Sequence, residues 1–435
     1  MSRILAADGV APTPSALRTV WNSPLYRGAT FALFLSGLGA SAAAPQITLF
    51  LVDDLHVPLT TAGLYYLTSI TAPVAGYLVG ARSDRTGRRL GLFRLCALAG
   101  FLGWTAMAVS DQVWMPFVIS AVVLAFAGAA GSQLFAAVHD ELRAGAGSVG
   151  DGIVSIVRMA MTAGWIVGPV AGSLLATAAG PRAMLVATGL CTLAQVVPMG
   201  FARTPSARTP SARTLSARTP SARPGAKTPA TSEVRTEISA VRPGPHLGVR
   251  AMLPLLAFTG LYVLVYAGEP IKYGYLTIYM LNDMRLPTAV SGAVIGIQPL
   301  IELILMPVAV VVARRIGMMP LMVLGAAFGV VANLCFALTG SAFGMFAGQI
   351  LMGGVWGVFA GLGIIVAQRL LPEAVATASA VFMSSPAIAS ALGGLTGSLG
   401  VSLLGLPLVF LAPALYSLVA TIGIAFMSRS RHAVG

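Results

Sequence analysis

Gly80-Ala81-Arg82-Ser83-Asp84-Arg85-Thr86-Gly87-Arg88-Arg89 is the stretch that decides the fold. Four arginines and one aspartate are compressed between two long apolar runs. A tight loop that basic, flanked that way, belongs on the cytoplasmic face of a bilayer, joining two membrane helices. The rest of the chain agrees. Of 435 residues, 57% are hydrophobic and only 9% charged, whereas a soluble domain carries roughly 25% charged residues. Mean hydropathy is +0.85.

Apolar segments run over about 28–51, 60–81, 90–110, 113–136, 152–178 and 181–202, and again over about 250–281, 288–314, 318–340, 342–369, 373–400 and 404–428. Each approaches the ~20 residues that cross a bilayer. They are too long for buried strands, and their Ala and Gly content suits close helix packing in lipid. The sequence therefore predicts an all-α integral membrane protein. Twelve transmembrane helices form two six-helix halves, residues 1–202 and 250–435. Between them, 203–249 reads as a basic disordered linker, with Arg203, Arg208, Arg213, Arg218 and Arg223 recurring in near-copies of Ser-Ala-Arg-Thr-Pro. Its proline and sparse apolar content prevent a packed core. It is either a plain tether or a polybasic strip on anionic inner-leaflet lipid.

The net charge of +13 is topology rather than a nucleic-acid footprint. With a cytoplasmic N-terminus, 23 of the 27 Lys and Arg fall inside and only Arg182 and Arg285 outside. Without the linker the balance is still 14 to 2, which places both termini in the cytoplasm. Met1 to Arg27 lacks the continuous apolar core of a cleavable signal. Cys96, Cys191 and Cys335 lie in apolar segments, and His56, His139, His246 and His432 are expected in loops or tails. No metal site or cofactor is implied. The absence of a polar catalytic cluster argues against an enzyme, and the absence of an appended soluble domain against a receptor.

The opening segment resembles, residue for residue, the Gly-x-x-x-Asp-Arg-x-Gly-Arg-Arg signature of the major facilitator superfamily. The resemblance implies that Gly80, Asp84, Arg85, Gly87, Arg88 and Arg89 latch the two halves in one access state. Electrostatically, Asp84 can meet the positive N-terminus of a neighbouring helix or pair with Arg88; the plainer alternative is that the segment only fixes topology. Gly164-Trp165-Ile166-Val167-Gly168-Pro169-Val170-Ala171-Gly172 resembles the Gly-x-x-x-Gly-Pro-x-x-Gly motif of exporters in that superfamily. There Gly164, Gly168 and Gly172 permit close helix approach and Pro169 frees a carbonyl, although generic small-residue packing would give the same spacing. Ala127-Gly128-Ala129-Ala130-Gly131-Ser132-Gln133-Leu134 lacks the arginine of drug/proton antiporters.

Ionisable groups inside a membrane cost roughly 2.5–3.5 kcal/mol and are functional candidates by default. Glu302 sits mid-helix, one turn after Gln298. Glu269 and Lys272 share a helix and can pair at i,i+3. Arg158 enters the fifth helix by six residues, about 9 Å, and either serves the cavity or snorkels to the interface. Tyr262, Tyr266, Glu269 and Tyr273 fall on one helical face. Rings beside a carboxylate suit a sugar; an interfacial tyrosine belt is the alternative.

A narrower resemblance, to bacterial sugar efflux transporters, is carried by several segments. These are Ala44–Leu51 with Gln46, Ser132–Ala136 with Gln133, Val157-Arg158 with Trp165–Pro169, and Leu300-Ile301-Glu302 with Pro307. It implies a monomeric, proton-coupled exporter of small sugars or glycosides in the bacterial cytoplasmic membrane, a secondary active antiporter whose partners are a sugar-like molecule, protons and the bilayer. A multidrug or other metabolite exporter of the same fold is the close alternative.

Overall fold

A computed structural model describes residues 16–145, 150–200 and 249–432. Among them there is helix and no strand. Eleven helices have the length and hydropathy to cross a membrane: α1 (Pro24–Asp54), α3 (Arg89–Ala108), α4 (Trp114–Leu142), α5 (Gly152–Ala179), α6 (Pro181–Met199), α7 (Ala251–Asp283), α8 (Thr288–Ile316), α9 (Met318–Leu338), α10 (Ala342–Leu370), α11 (Thr377–Leu404) and α12 (Leu408–Arg429). The remaining helix, α2, is continuous through Leu59–Gly63, Leu64–Thr71 and Ala72–Thr86. Tyr65, Tyr66, Thr68, Ser69, Thr71 and Tyr77 dilute its hydropathy, yet it takes the second place in the bundle and completes twelve. The basic linker lies outside the described residues.

The signature segment differs from a simple loop. α2 continues to Thr86, and the turn is only Gly87 and Arg88 before α3 begins. Gly87 has φ 64°, the left-handed cap that glycine adopts most cheaply. His139, expected in a loop, lies within α4.

Each half has its own core. One apolar cluster runs from Leu255 to Ile424; two others, around Phe93 and Phe50, are confined to the first half. A repeat ties the halves together in sequence and conformation. Phe50-Leu51-Val52-Asp53-Asp54-Leu55-His56-Val57-Pro58 ends α1, and Tyr279-Met280-Leu281-Asn282-Asp283-Met284-Arg285-Leu286-Pro287 ends α7. Both finish in a widened π-turn. His56 and Arg285 each take φ 53°. Val57 N donates to Leu51 O at 2.9 Å, and Leu286 N to Met280 O at 2.8 Å.

Prolines break the helices where their missing N–H leaves a carbonyl free. Pro270 cannot bond to Tyr266 O, and α7 is interrupted at Ala267. Pro386 cannot bond to Phe382 O; Ser385 Oγ takes that acceptor instead.

The halves approach most closely toward the end of the bundle away from Arg82–Arg89. A Cβ on Gly296 of α8 would stand 2.8 Å from Ile166 O of α5, and one on Gly292 would stand 2.9 Å from Val170 Cα. On the other flank, Gly394 of α11 faces Gly63 O, Leu67 and Tyr66 of α2, and Gly274 of α7 faces the Tyr66 ring. Toward the basic end, Cβ atoms on Gly76 or Gly80 of α2 would meet nothing within 4 Å.

Candidate functional site

Between the halves, below that seam, lies a cavity of about 360 Å³. Three charged side chains border it: Arg158 on α5, Glu269 on α7 and Glu302 on α8; a fourth, Lys272 on α7, is buried behind Glu269, outside the lining. Tyr262, Tyr266 and Tyr273 border it too, so the face read from helical spacing is the cavity face.

Two of the charges are committed to each other. Lys272 Nζ donates to Glu269 Oε1 at 2.8 Å and Oε2 at 2.7 Å, and also to Gln298 Oε1 on α8. Trp356 Nε1 on α10 donates to Glu269 Oε1 at 2.7 Å. The ammonium also lies 4.5 Å from the centroid of the Tyr273 ring, a cation–π contact. Lys272 is 1% exposed and Glu269 7%, so the ion pair is buried. It ties α7, α8 and α10 together within the second half.

The other two charges are uncommitted. Among the described residues, neither Arg158 nor Glu302 makes an ion pair or hydrogen bond, although both border the cavity. Arg158, Glu269 and Lys272 act on Glu302 electrostatically. The helix that carries Arg158 starts at Gly150, two residues before the membrane-spanning part, α5. An uncommitted cation from one half and an uncommitted acid from the other thus share one chamber.

Its walls are aromatic. Tyr66, Trp165 and Trp356 join the three tyrosines. Trp356 meets Tyr266 edge-on at 4.9 Å, and Tyr262 stacks near Tyr266 at 6.1 Å. Trp165 of the first half lies 6.3 Å from Tyr273 of the second. Trp356 and Tyr66 escaped the sequence reading. A tryptophan set among Gly353, Gly354 and Gly357 in an otherwise uniform apolar helix was the available signal.

Gln46 and Gln133 sit elsewhere. Gln46 Nε2 donates to Ser173 Oγ at 2.8 Å, joining α1 to α5. Gln133 is buried on α4, its carboxamide oxygen unpartnered. Gly164, Gly168 and Gly172 all face α1: a Cβ on Gly172 would lie 2.8 Å from Ala42 Cα. They weld two helices of one half, leaving Ile166 and Val170 to meet α8.

At the basic end the hub is Arg89. It reaches Asp84 at 2.6 Å, Ser83 Oγ at 3.0 Å and Asp140 of α4 at 2.9 Å. Arg88, the partner suggested by spacing, makes no ion pair among the described residues, and nor does Arg85. All these bonds lie within the first half. Among the described residues, no group of three His, Cys, Asp or Glu could hold a metal ion.

Twelve membrane helices in two cored halves, with a charged chamber between them, define a polytopic small-molecule carrier. The family model for the Major Facilitator Superfamily matches residues 29–394, and the chain belongs to that superfamily. It is a multi-pass transporter and not an enzyme. It is 26% identical to a putative sugar efflux transporter of Deinococcus radiodurans, over 90% of this chain and 95% of that protein. It is 25% identical to sugar efflux transporter A of Dickeya chrysanthemi, over 88% and 91%. Its fold matches the nucleoside transporter NupG (TM-score 0.70, 15% identity, 93% of this chain and 98% of the other). It also matches a D-xylose-proton symporter (TM-score 0.67, 14% identity, 92% and 96%).

Proposed function

We propose that the protein exports small sugars or glycosides across the bacterial cytoplasmic membrane, exchanging them for protons by alternating access. The observation that carries this is the pair of uncommitted charges, Arg158 and Glu302, facing one aromatic chamber from opposite halves. Tyrosine and tryptophan faces pack on the C–H faces of a sugar ring, and a carboxylate accepts its hydroxyl hydrogens. An ionised carboxylate only accepts, whereas a protonated one also donates. A proton on Glu302 and a sugar hydroxyl donor therefore compete for the same oxygens. That competition is the basis of antiport.

The Glu269 carboxylate is already occupied by Lys272 and Trp356. This favours Glu302 over Glu269 as the carrier. With the arginine-rich end in the cytoplasm, the closed seam faces outward, and the arrangement corresponds to an inward-facing state of a single chain. The names of the relatives support the sugar class.

The test is transport by purified protein in liposomes, with radiolabelled glucosides and lactose inside. An imposed inward proton gradient should accelerate their exit, and the exit should acidify the vesicle lumen. Sugar exit indifferent to the gradient would remove proton coupling. Exit of cationic dyes but not sugars would favour a drug exporter.

A further inference from the structure

Lys272 has three ammonium hydrogens, and three acceptors take them: both Glu269 oxygens and Gln298 Oε1. An ammonium donates and never accepts. The carboxamide of Gln298 must therefore turn its oxygen toward Lys272 and its NH2 the other way. Gln298 borders the cavity, yet among the described residues its Nε2 makes no hydrogen bond. The residue is only 5% exposed, and Pro299 follows it in the helix. The wall thus holds an oriented donor whose direction is set from behind.

We propose that Lys272 is a positioning residue that fixes the Gln298 carboxamide, and that Gln298 is a specificity-determining donor selecting ligands with an oxygen acceptor at that point of the wall. The proposal rests on the reading of this cavity as the sugar site. A free glutamine is ambivalent, because rotating its amide exchanges donor for acceptor at little cost. The ammonium removes that freedom. Lys272 does not touch the substrate, since its hydrogens are spent and its side chain is buried. Its function at the site is exerted through Gln298.

The experiment measures binding of methyl glucoside and each of its single-position deoxy derivatives to the purified full-length protein. Gln298→Met keeps the length of the side chain and removes the donor. Methyl glucoside should bind about tenfold more weakly, the loss of one hydrogen bond. The one derivative that lacks the matching oxygen should bind wild type and Gln298→Met alike. Gln298→Glu, which shows the ligand an acceptor in place of a donor, should weaken the parent at least as much. The charge-neutral Lys272→Met/Glu269→Gln variant frees the amide, so discrimination between parent and that derivative should collapse while binding persists. Equal weakening of every derivative by Gln298→Met, or full discrimination retained in the Lys272→Met/Glu269→Gln variant, would overturn the proposal. Wild-type protein that binds no sugar at all would remove the substrate reading itself, a distinct result.

Discussion

Trp356 Nε1 stands 2.7 Å from Glu269 Oε1, so an indole on α10 grips a carboxylate on α7 that is already bound by Lys272. The carboxylate accepts from both donors, and its ion-pair partner is fixed beside it. Removing one partner leaves the other charge buried alone, which costs about 3–5 kcal/mol. Lys272→Met should lower the melting temperature in detergent substantially. Lys272→Met/Glu269→Gln should recover most of the loss, because it leaves no orphan charge. A single variant as stable as wild type would show that the pair does not weld the second half.

At the basic end, Asp84 bonds to Arg89, which also holds Asp140. Asp84 is 69% exposed, so the pair itself contributes little, about 0.2–1 kcal/mol. Asp84→Asn should therefore leave membrane abundance and melting nearly unchanged. A latch role further requires transport to fall sharply, since in another access state the same carboxylate would meet a helix N-terminus of the other half. Transport at the wild-type rate would reduce the segment to a topology signal.

Gly296 admits Ile166 O to the space a side chain would fill. Gly296→Ala pushes on backbone, which cannot rotate away, and such overpacking costs typically 1–3 kcal/mol. Spent at the seam, that biases the closed against the open end by about 5–150-fold. Spin labels at Asp53→Cys and Asn282→Cys, in a cysteine-free background, should report a longer or broader distance in Gly296→Ala than in the parent. An unchanged distribution would mean that α5 and α8 separate without governing the outer end.

The helices and their pairing into halves were legible because lipid leaves backbone no partner but itself, so every crossing must be a long apolar helix. The i,i+3 spacing of Glu269 and Lys272 likewise announced a pair. The third and fourth partners, Gln298 and Trp356, come from α8 and α10, and only tertiary packing brings them there. Gln46 and Gln133 lie outside the lining of this cavity. Polar residues in membrane helices also serve as interhelical glue, and the Gln46 bond to Ser173 is of that kind. The matching π-turns at Asp54 and Asp283 were present in the sequence as Asp-x-x-x-Pro, but conformation was needed to give that repeat weight.

The basic linker, outside the described residues, invites a test of length against sequence. A flexible tether acts through its reach, which grows with the square root of its length. Replacing 205–240 by an equally long Gly/Ser chain should leave transport largely intact. Loss of transport with normal insertion would mean that the pentapeptide repeats bind lipid or a partner.

The decisive prediction concerns Glu302. Its carboxylate faces the cavity without a hydrogen bond or ion pair among the described residues, while Arg158 approaches from the opposite half. In the proposed exchange, rocking of the halves would change the distance between them, and with it the balance between proton and cation at the acid. Glu302→Gln keeps the shape and one acceptor but cannot exchange a proton. Gradient-driven export in vesicles should fall to the leak rate. Sugar exchange at equal pH, which needs binding and rocking but no net proton movement, should partly survive. Arg158→Lys, which keeps the charge but loses the planar fork, should weaken both modes together. Glu269→Gln offers the control: it should disturb stability more than coupling, because that carboxylate already holds a fixed cation. If gradient-driven export persists in Glu302→Gln and disappears in Glu269→Gln, the proton travels on α7.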